Sequence, residues 1–172
     1  VVMEISHLES VLNSLDIARD EDHLIQIREE LIESGLIRRK SSAKKVKIVS
    51  KPYHYVTPDG FDIYVGKNNL QNDELTFKVA GGNDWWFHSK KIPGSHVILK
   101  TGGREVPDRV FELAAAAAAY YCKGSEQDKV EIDYVQRKEV KKPAGAKPGF
   151  VVYYTNFSMA IAPDISELTL TE

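Results

Sequence analysis

With 172 residues, 42% hydrophobic and 28% charged, the chain has the composition of a soluble globular protein long enough to bury a core. A formal net charge of −2 excludes a uniformly basic or acidic protein, and the single cysteine, Cys122, excludes an intrachain disulfide. No apolar run approaches the roughly 18 residues of a membrane span, and no secretory signal pattern opens the chain. The charge average conceals an asymmetry. Residues 1–37 carry nine acids against two bases, whereas residues 38–51 carry seven bases and no acid. An acidic limb and a basic patch with separate tasks are the natural reading. The chain opens without Met, inside a helical pattern, as a piece of a longer protein would.

Residues 3–17 are predicted helical, with Ile5, Leu8, Leu12 and Leu15 spaced 3, 4, 3 on one stripe. Asp20 is positioned to cap a second helix carrying Leu24, Ile27 and Leu31, which Gly35 stops. Stripes this narrow beside acidic faces predict the end of a coiled coil; the alternative is an amphipathic helix pair lying on the domain. Residues 38–51 are predicted to be a basic linker tailing into a strand around 45–49. Thr57-Pro58-Asp59-Gly60 predicts a hairpin between strands around Tyr53 and Tyr55 and over 61–65. A helix is expected over 69–80, started by Asn68 or Asn69 and ended at Gly81-Gly82. Short strands follow at 85–88 and 96–100, around the Pro93-Gly94 turn. The clearest helix runs over 108–123, where alanines 114–119 give a close-packing surface and Gly124 is the stop. Strands are predicted at 130–136, 150–155 and 157–162, with 141–149 irregular. Hairpin-short connections without strict strand–helix alternation indicate an α+β fold: a mainly antiparallel sheet with packed helices, preceded by a helical hairpin or coiled-coil end. The domain layout expected is 1–37 helical, 38–51 linker and 52–172 the body.

The densest chemistry lies between Gly60 and Leu99. Two tryptophans, a phenylalanine and two histidines stand beside Lys90 and Lys91, and aromatics among cations suit looped or single-stranded RNA. Strand alternation puts Trp85 and Phe87 on one face and Trp86 and His88 on the other, so one pair is core and the other is a candidate for exposure. Lys67, Asn68, Asn69, Gln71 and Asn72 form an amide-rich segment able to read base edges, to cap a helix, or both. Ser95 and His96 follow a rigid turn. As neighbours in a strand they point to opposite faces, which argues against a proton-sharing catalytic pair. Asp84, His88 and His96 match no standard zinc spacing. Arg137, Lys138, Lys141, Lys142 and Lys147 make the 137–149 loop basic, and it fails the phosphate-loop pattern, so a phosphate-backbone contact is the favoured reading. A binding module, not an enzyme, is expected, with no cofactor and no metal.

Asp59-Gly60, Val65 to Asp73, Asp84-Trp-Trp-Phe-His88, Pro93-Gly-Ser-His96, the alanine helix and Lys141 to Gly149 occur in an order that resembles the NFACT-R domain of the fibronectin-binding protein A / RqcH ribosome quality-control family, over about residues 50–165. Residues 3–35 look like the end of that family's coiled coil, and the chain is most similar to the streptococcal fibronectin-binding type. Lys67 stands where an Arg is common in the family; it keeps the charge but not the bidentate fork. The resemblance implies a cytoplasmic protein with the large ribosomal subunit and tRNA as partners, working in C-terminal tailing of stalled nascent chains. It also implies fibronectin as an alternative or second partner, at the cell surface without a signal peptide, and no membrane insertion. The RNA-contacting set expected is Lys67, Asn68, Asn69, Gln71, Asn72, Asp84, Trp86, His88, Lys90, Lys91, Ser95, His96, Lys141, Lys142 and Lys147.

Overall fold

The computed structural model describes residues 2–40 and 50–171. The expected strand at 45–49, and most of the basic linker, lie outside those residues. Period-two patterning produces β1 (Tyr53–Val56), β2 (Asp62–Val65), β3 (Trp85–Ser89), β4 (Val97–Lys100), β5 (Val130–Gln136), β6 (Phe157–Ile161) and the short β7 (Thr169–Leu170). They form one sheet in the order β6-β5-β3-β4-β2-β1-β7, antiparallel throughout. The predicted hairpin closes at Thr57, whose side-chain oxygen accepts from the Phe61 N–H at 3.0 Å. The α+β expectation therefore holds. Two details differ. The 150–155 segment makes only a single bridge, Val152 to Lys141, because Pro143, Pro148 and neighbouring glycines keep the preceding chain off the ladder. β7 has only two residues, too few for a period-two signal.

Alternation divides the sheet into two unlike faces. Ile63, Val65, Phe87, Val97, Leu99 and Ile132 point to one side and are covered by α4 (Asp108–Tyr120). All six alanines of α4 are buried, and side chains this small let the helix lie close against β2 to β6. The other side carries Trp86, Ile98 and Val135, packed with Leu75, Val140 and Tyr153. Leu75 belongs to the helix predicted over 69–80, which starts as α3 (Asn69–Glu74) and widens into a π turn (Leu75–Val79) closed by the Ala80 N–H on the Leu75 carbonyl at 2.8 Å.

α1 (Val2–Ile17) and α2 (Glu21–Glu33, capped by Asp20) form the expected hairpin and dock beside α3. They do so largely through polar residues, with Val11 and Ile27 as the buried apolar ones. His7, Asn13 and Ser14 are buried on α1, and His23, Gln26, Glu29 and Glu30 on α2, while Ile5, Leu8, Leu12 and Leu15 remain exposed. The α1 part of the stripe read as a coiled-coil seam thus faces away from the body, as does Leu24 of α2, whereas Ile27 of α2 is buried and Leu31 half-buried. Among the described residues no helix is long and apolar enough to cross a membrane.

Candidate nucleic-acid interface

The amide-rich segment is built into the interior. Asn68 caps α3, its Oδ1 accepting from the Gln71 N–H at 3.0 Å. Its Nδ2 and the Nε2 of Gln71 both donate to Gln26 Oε1 of α2, at 2.8 and 2.6 Å. Asn69 Nδ2 donates to Glu30 at 2.7 Å and to Ser10 of α1 at 2.8 Å, and Asn72 Oδ1 accepts from the His96 N–H at 3.1 Å. Asn68, Asn69, Gln71 and Asn72, expected at RNA, are therefore a buried brace between α3, the helical hairpin and His96 at the entry to β4. Buried amides with several donors and acceptors must be satisfied internally, and these four are. Lys67 is half-buried, its ammonium 4.5 Å from the Tyr53 ring centre, and burial lowers its pKa despite nearby Asp20.

Asp84, Ser95 and His96 are also buried. Asp84 ties the strand-entry turn: its carboxylate accepts from the Gly81 N–H at 2.7 Å and the Thr101 N–H at 2.9 Å and pairs with Lys100 at 2.8 Å. Burial opposes its ionisation, but the hydrogen bonds from Lys100, Thr101 and Gly81 outweigh this and hold the carboxyl below its ordinary value. His96 uses both ring nitrogens. A carbonyl can only accept, so Nε2 donates to Gly149 O at 3.1 Å, and Nδ1 accepts from the Thr76 hydroxyl at 2.8 Å. Burial, with neighbouring His88, drives its pKa well down, leaving a neutral imidazole at pH 7.

The Trp86–His88 face is as alternation placed it, but it is not open: Trp86 is only 1% exposed. The second sheet face is covered by α3, its π turn and the 150–153 segment, so the exposure expected for this indole is corrected. Its ring lies nearly parallel to His88 (centroids 5.6 Å, 10°) and edge-on to His96, with Tyr153 at 4.8 Å. The Tyr153 hydroxyl donates to Asp133 at 2.7 Å, which fixes that ring. Among the described residues Trp86 Nε1 has no hydrogen-bond partner. Burial also lowers the pKa of His88, against the raising effects of Ser89, Gly94 and Asp133.

These rings line a cavity of 510 Å³ bounded by the 91–94 turn, the 145–151 loop and α1. Lys91 and Lys147 are on its lining, and among the described residues Glu9 is the one carboxylate there. Lys142 holds the loop rather than standing free: its ammonium pairs with Asp73 at 3.0 Å and donates to the Lys147 carbonyl at 2.6 Å. The Lys147 ammonium lies 3.4 Å from the Ser34 carbonyl at the end of α2, so the basic loop abuts the point from which Arg38 and Arg39 depart. Lys141 is exposed, and Lys90 approaches Glu131 at 3.9 Å. Of the expected set, Trp86, His88, Lys91, His96, Lys147 and Asn69 meet at this cavity; Lys67, Asp84 and Ser95 do not line it. Sequence reasoning missed Tyr153 and His7 on the same lining. His7, Ser10 and Ser14 are spaced 3 and 4, a polar stripe that signals a docking face and could have revealed the α1 contribution.

Comparison with known proteins bears on this arrangement. The NFACT protein RNA binding domain matches residues 51–155. A protein named Rqc2 homolog RqcH from Streptococcus pneumoniae (serotype 2, strain D39) is 40% identical over 168 residues, which is 97% of this chain and 29% of that protein. The Rqc2 homolog RqcH of Bacillus subtilis (strain 168) is 39% identical over 166 residues, 94% of this chain and 28% of that one. A solved structure, described as the C-terminal of the fibronectin/fibrinogen-binding protein from Streptococcus suis, superposes with a TM-score of 0.88 at 42% identity, covering 96% of this chain and 66% of that chain. The chain thus spans less than a third of the length of these two curated relatives.

Proposed function

Because this chain belongs to the family of NFACT protein RNA binding domains, we propose that it is the RNA-contacting module of a ribosome quality-control protein, binding the stalled large subunit and helping recruit tRNA for C-terminal tailing of the nascent chain. The role is one of binding, not catalysis. The observation that carries the reading is the meeting of Lys91 and Lys147 at one aromatic-lined cavity, with Lys141 exposed on the same basic loop and Arg38 a few residues beyond the adjacent end of α2. Cations of this kind neutralise phosphates and release counterions, so affinity falls as salt rises. The test is filter binding of unfractionated tRNA across a salt series. Replacing Lys91, Lys141 and Lys147 by Glu leaves Lys142 in place to hold the loop. The wild-type chain is expected to lose affinity steeply with salt. The variant's log–log slope should be shallower by about 2–3, three contacts at roughly 0.7–0.9 each. An unchanged slope in a folded variant refutes the placement.

A second reading has its own support. The solved relative is named for fibronectin and fibrinogen binding, and β6, a sheet edge among the described residues, begins with Phe157 (57% exposed) and follows Tyr154 (72% exposed). An open edge with apolar side chains suits strand addition by an extended partner segment. Tyr154→Lys with Phe157→Lys should then abolish capture by immobilised fibronectin while tRNA binding persists; full capture by the double variant rules this edge out.

A further inference from the structure

We propose that the 510 Å³ cavity beside Trp86 receives one unstacked nucleobase of a bound RNA, with the base against the half-buried rings of His88 and Tyr153, over the buried Trp86, and its flanking phosphates at Lys91 and Lys147. This rests on the RNA-binding reading and deepens it, since backbone contact alone would require no receptacle.

The size fits a nucleotide and lies within the range of small-ligand sites. The inner wall is made of flat rings: Trp86 and His88 nearly parallel, His96 edge-on to both, Tyr153 alongside. Such surfaces stack on bases of any identity. Both imidazoles are neutral because burial lowers their pKa, so this wall accepts an uncharged heterocycle rather than an anion. The cations stand on the 91–94 turn and the 145–151 loop, where the sugar–phosphate chain would pass.

Trp86 supplies the second line of argument. Its Nε1–H is buried and, among the described residues, meets no acceptor. A buried unpaired donor is destabilising, and native proteins retain few of them without a use. Every nucleobase presents ring nitrogens or carbonyl oxygens that accept such a bond. An aliphatic side chain of a peptide would leave the donor unmet. The opposite wall is also set in advance. His96 holds the Gly149 carbonyl, Lys142 holds the Lys147 carbonyl, and Asp73 accepts from the Gly149 N–H at 3.0 Å. A wall already ordered reduces the entropic cost of binding. Lys91, at the edge of the site, sits in the left-handed region at φ 59°, a conformation rare outside glycine and common at ligand sites.

The experiment compares the whole 172-residue chain on two fluorescent single-stranded RNAs of about 12 nucleotides, a length within the usual site sizes. One carries bases and the other is abasic throughout. The readout is the ratio of their affinities. The wild-type chain should favour the base-bearing strand by about tenfold, the scale of one stacked and hydrogen-bonded base. Trp86→Phe keeps the ring and removes the N–H, and Ala146→Phe fills the cavity from the half-exposed loop. Both should move the ratio toward one. Thermal melts report folding, and if Trp86→Phe fails to fold, Ala146→Phe decides. Equal wild-type affinity for both strands overturns the receptacle while leaving backbone binding standing. A full base preference in folded variants also overturns it. Binding of neither strand overturns the RNA-binding reading and the receptacle with it.

Discussion

Glu30 offers a test of how the helical hairpin is held. Its carboxyl is fully buried between α2 and α3, accepting from the Asn69 N–H at 3.3 Å and from Asn69 Nδ2 at 2.7 Å, with His7 Nε2 at 3.7 Å. Burial pushes its pKa from 4.5 up to about 7; the two Asn69 hydrogen bonds pull it back, and the carboxylates of Asp73 and Glu33 raise it further. His7 does not supply a stable counter-charge, since burial and the cations Lys147 and Lys142 lower its own pKa. A tenfold change in an acid constant corresponds to about 1.4 kcal/mol, so displacement from 4.5 to about 7 disfavours the folded anion by about 3 kcal/mol. The folded carboxyl binds its proton more tightly than the unfolded one. Its contribution is therefore fully present below pH 4.5 and is lost as pH rises through about 7. Glu30→Gln stays neutral throughout. Its carbonyl can still accept from Asn69 Nδ2, and the bond lost at the Asn69 N–H costs about 1 kcal/mol, independent of pH. Urea unfolding followed by far-UV circular dichroism should be run on both proteins across this range. The wild-type stability minus that of Glu30→Gln should fall by about 3 kcal/mol between acid and mildly alkaline pH. His88 and His96, whose lowered pKa values remove stability as pH falls below the ordinary 6.5, cancel in the difference. Parallel curves for the two proteins would refute the buried-carboxyl account.

Gly149→Ala should unseat the basic loop: the residue sits at φ +81° and a Cβ would land on Asn69 Oδ1. A loss of about 1–3 kcal/mol by denaturant titration is expected, together with severalfold weaker tRNA binding by filter assay. Ala117→Leu overpacks α4 against the sheet, where Ala117 has no exposed surface. It should cost about 1–3 kcal/mol, read as a Tm lowered by roughly 2–4 °C per kcal/mol. Asp84→Asn breaks the ion pair to Lys100 and should cost about 1–3 kcal/mol at neutral pH. Because the Asp84 pKa is lowered, the native stability it contributes disappears as pH falls below the ordinary carboxyl range, and the variant's acid limb should be flatter there.

Much of the architecture follows from local pattern. Alternation in Trp85-Trp86-Phe87-His88 placed the two ring pairs on opposite faces, and the structure keeps that division. Thr57 to Gly60 announced the hairpin, Asp20 and Asn68 the helix starts, and alanines 114–119 the helix that covers one face. The candidate site was less legible. Its residues come from β3, the 91–94 turn, the 145–151 loop and α1, and only long-range packing assembles them. No window of sequence contains the information that the face carrying Trp86 would be roofed by Val151 and Tyr153. The amides of 68–72 invited a surface reading because their chemistry suits bases and carboxylates alike; the partners they take, Gln26, Glu30 and Ser10, lie about 40 to 60 residues away.

What the chain determines by itself is the period of each segment, the side chains on each face, and the charge each stretch carries, because these depend on residues a few positions apart. What tertiary structure alone decides is which polar residues are satisfied inside and which cations stay free. Glu30 is buried because Asn69 meets it, Lys142 is held because Asp73 is there, and Lys91 and Lys147 share one cavity because β3, α1 and the 145–151 loop converge. Hydrogen bonding and desolvation act on groups adjacent in space, and adjacency across a hundred residues is a property of the folded chain alone.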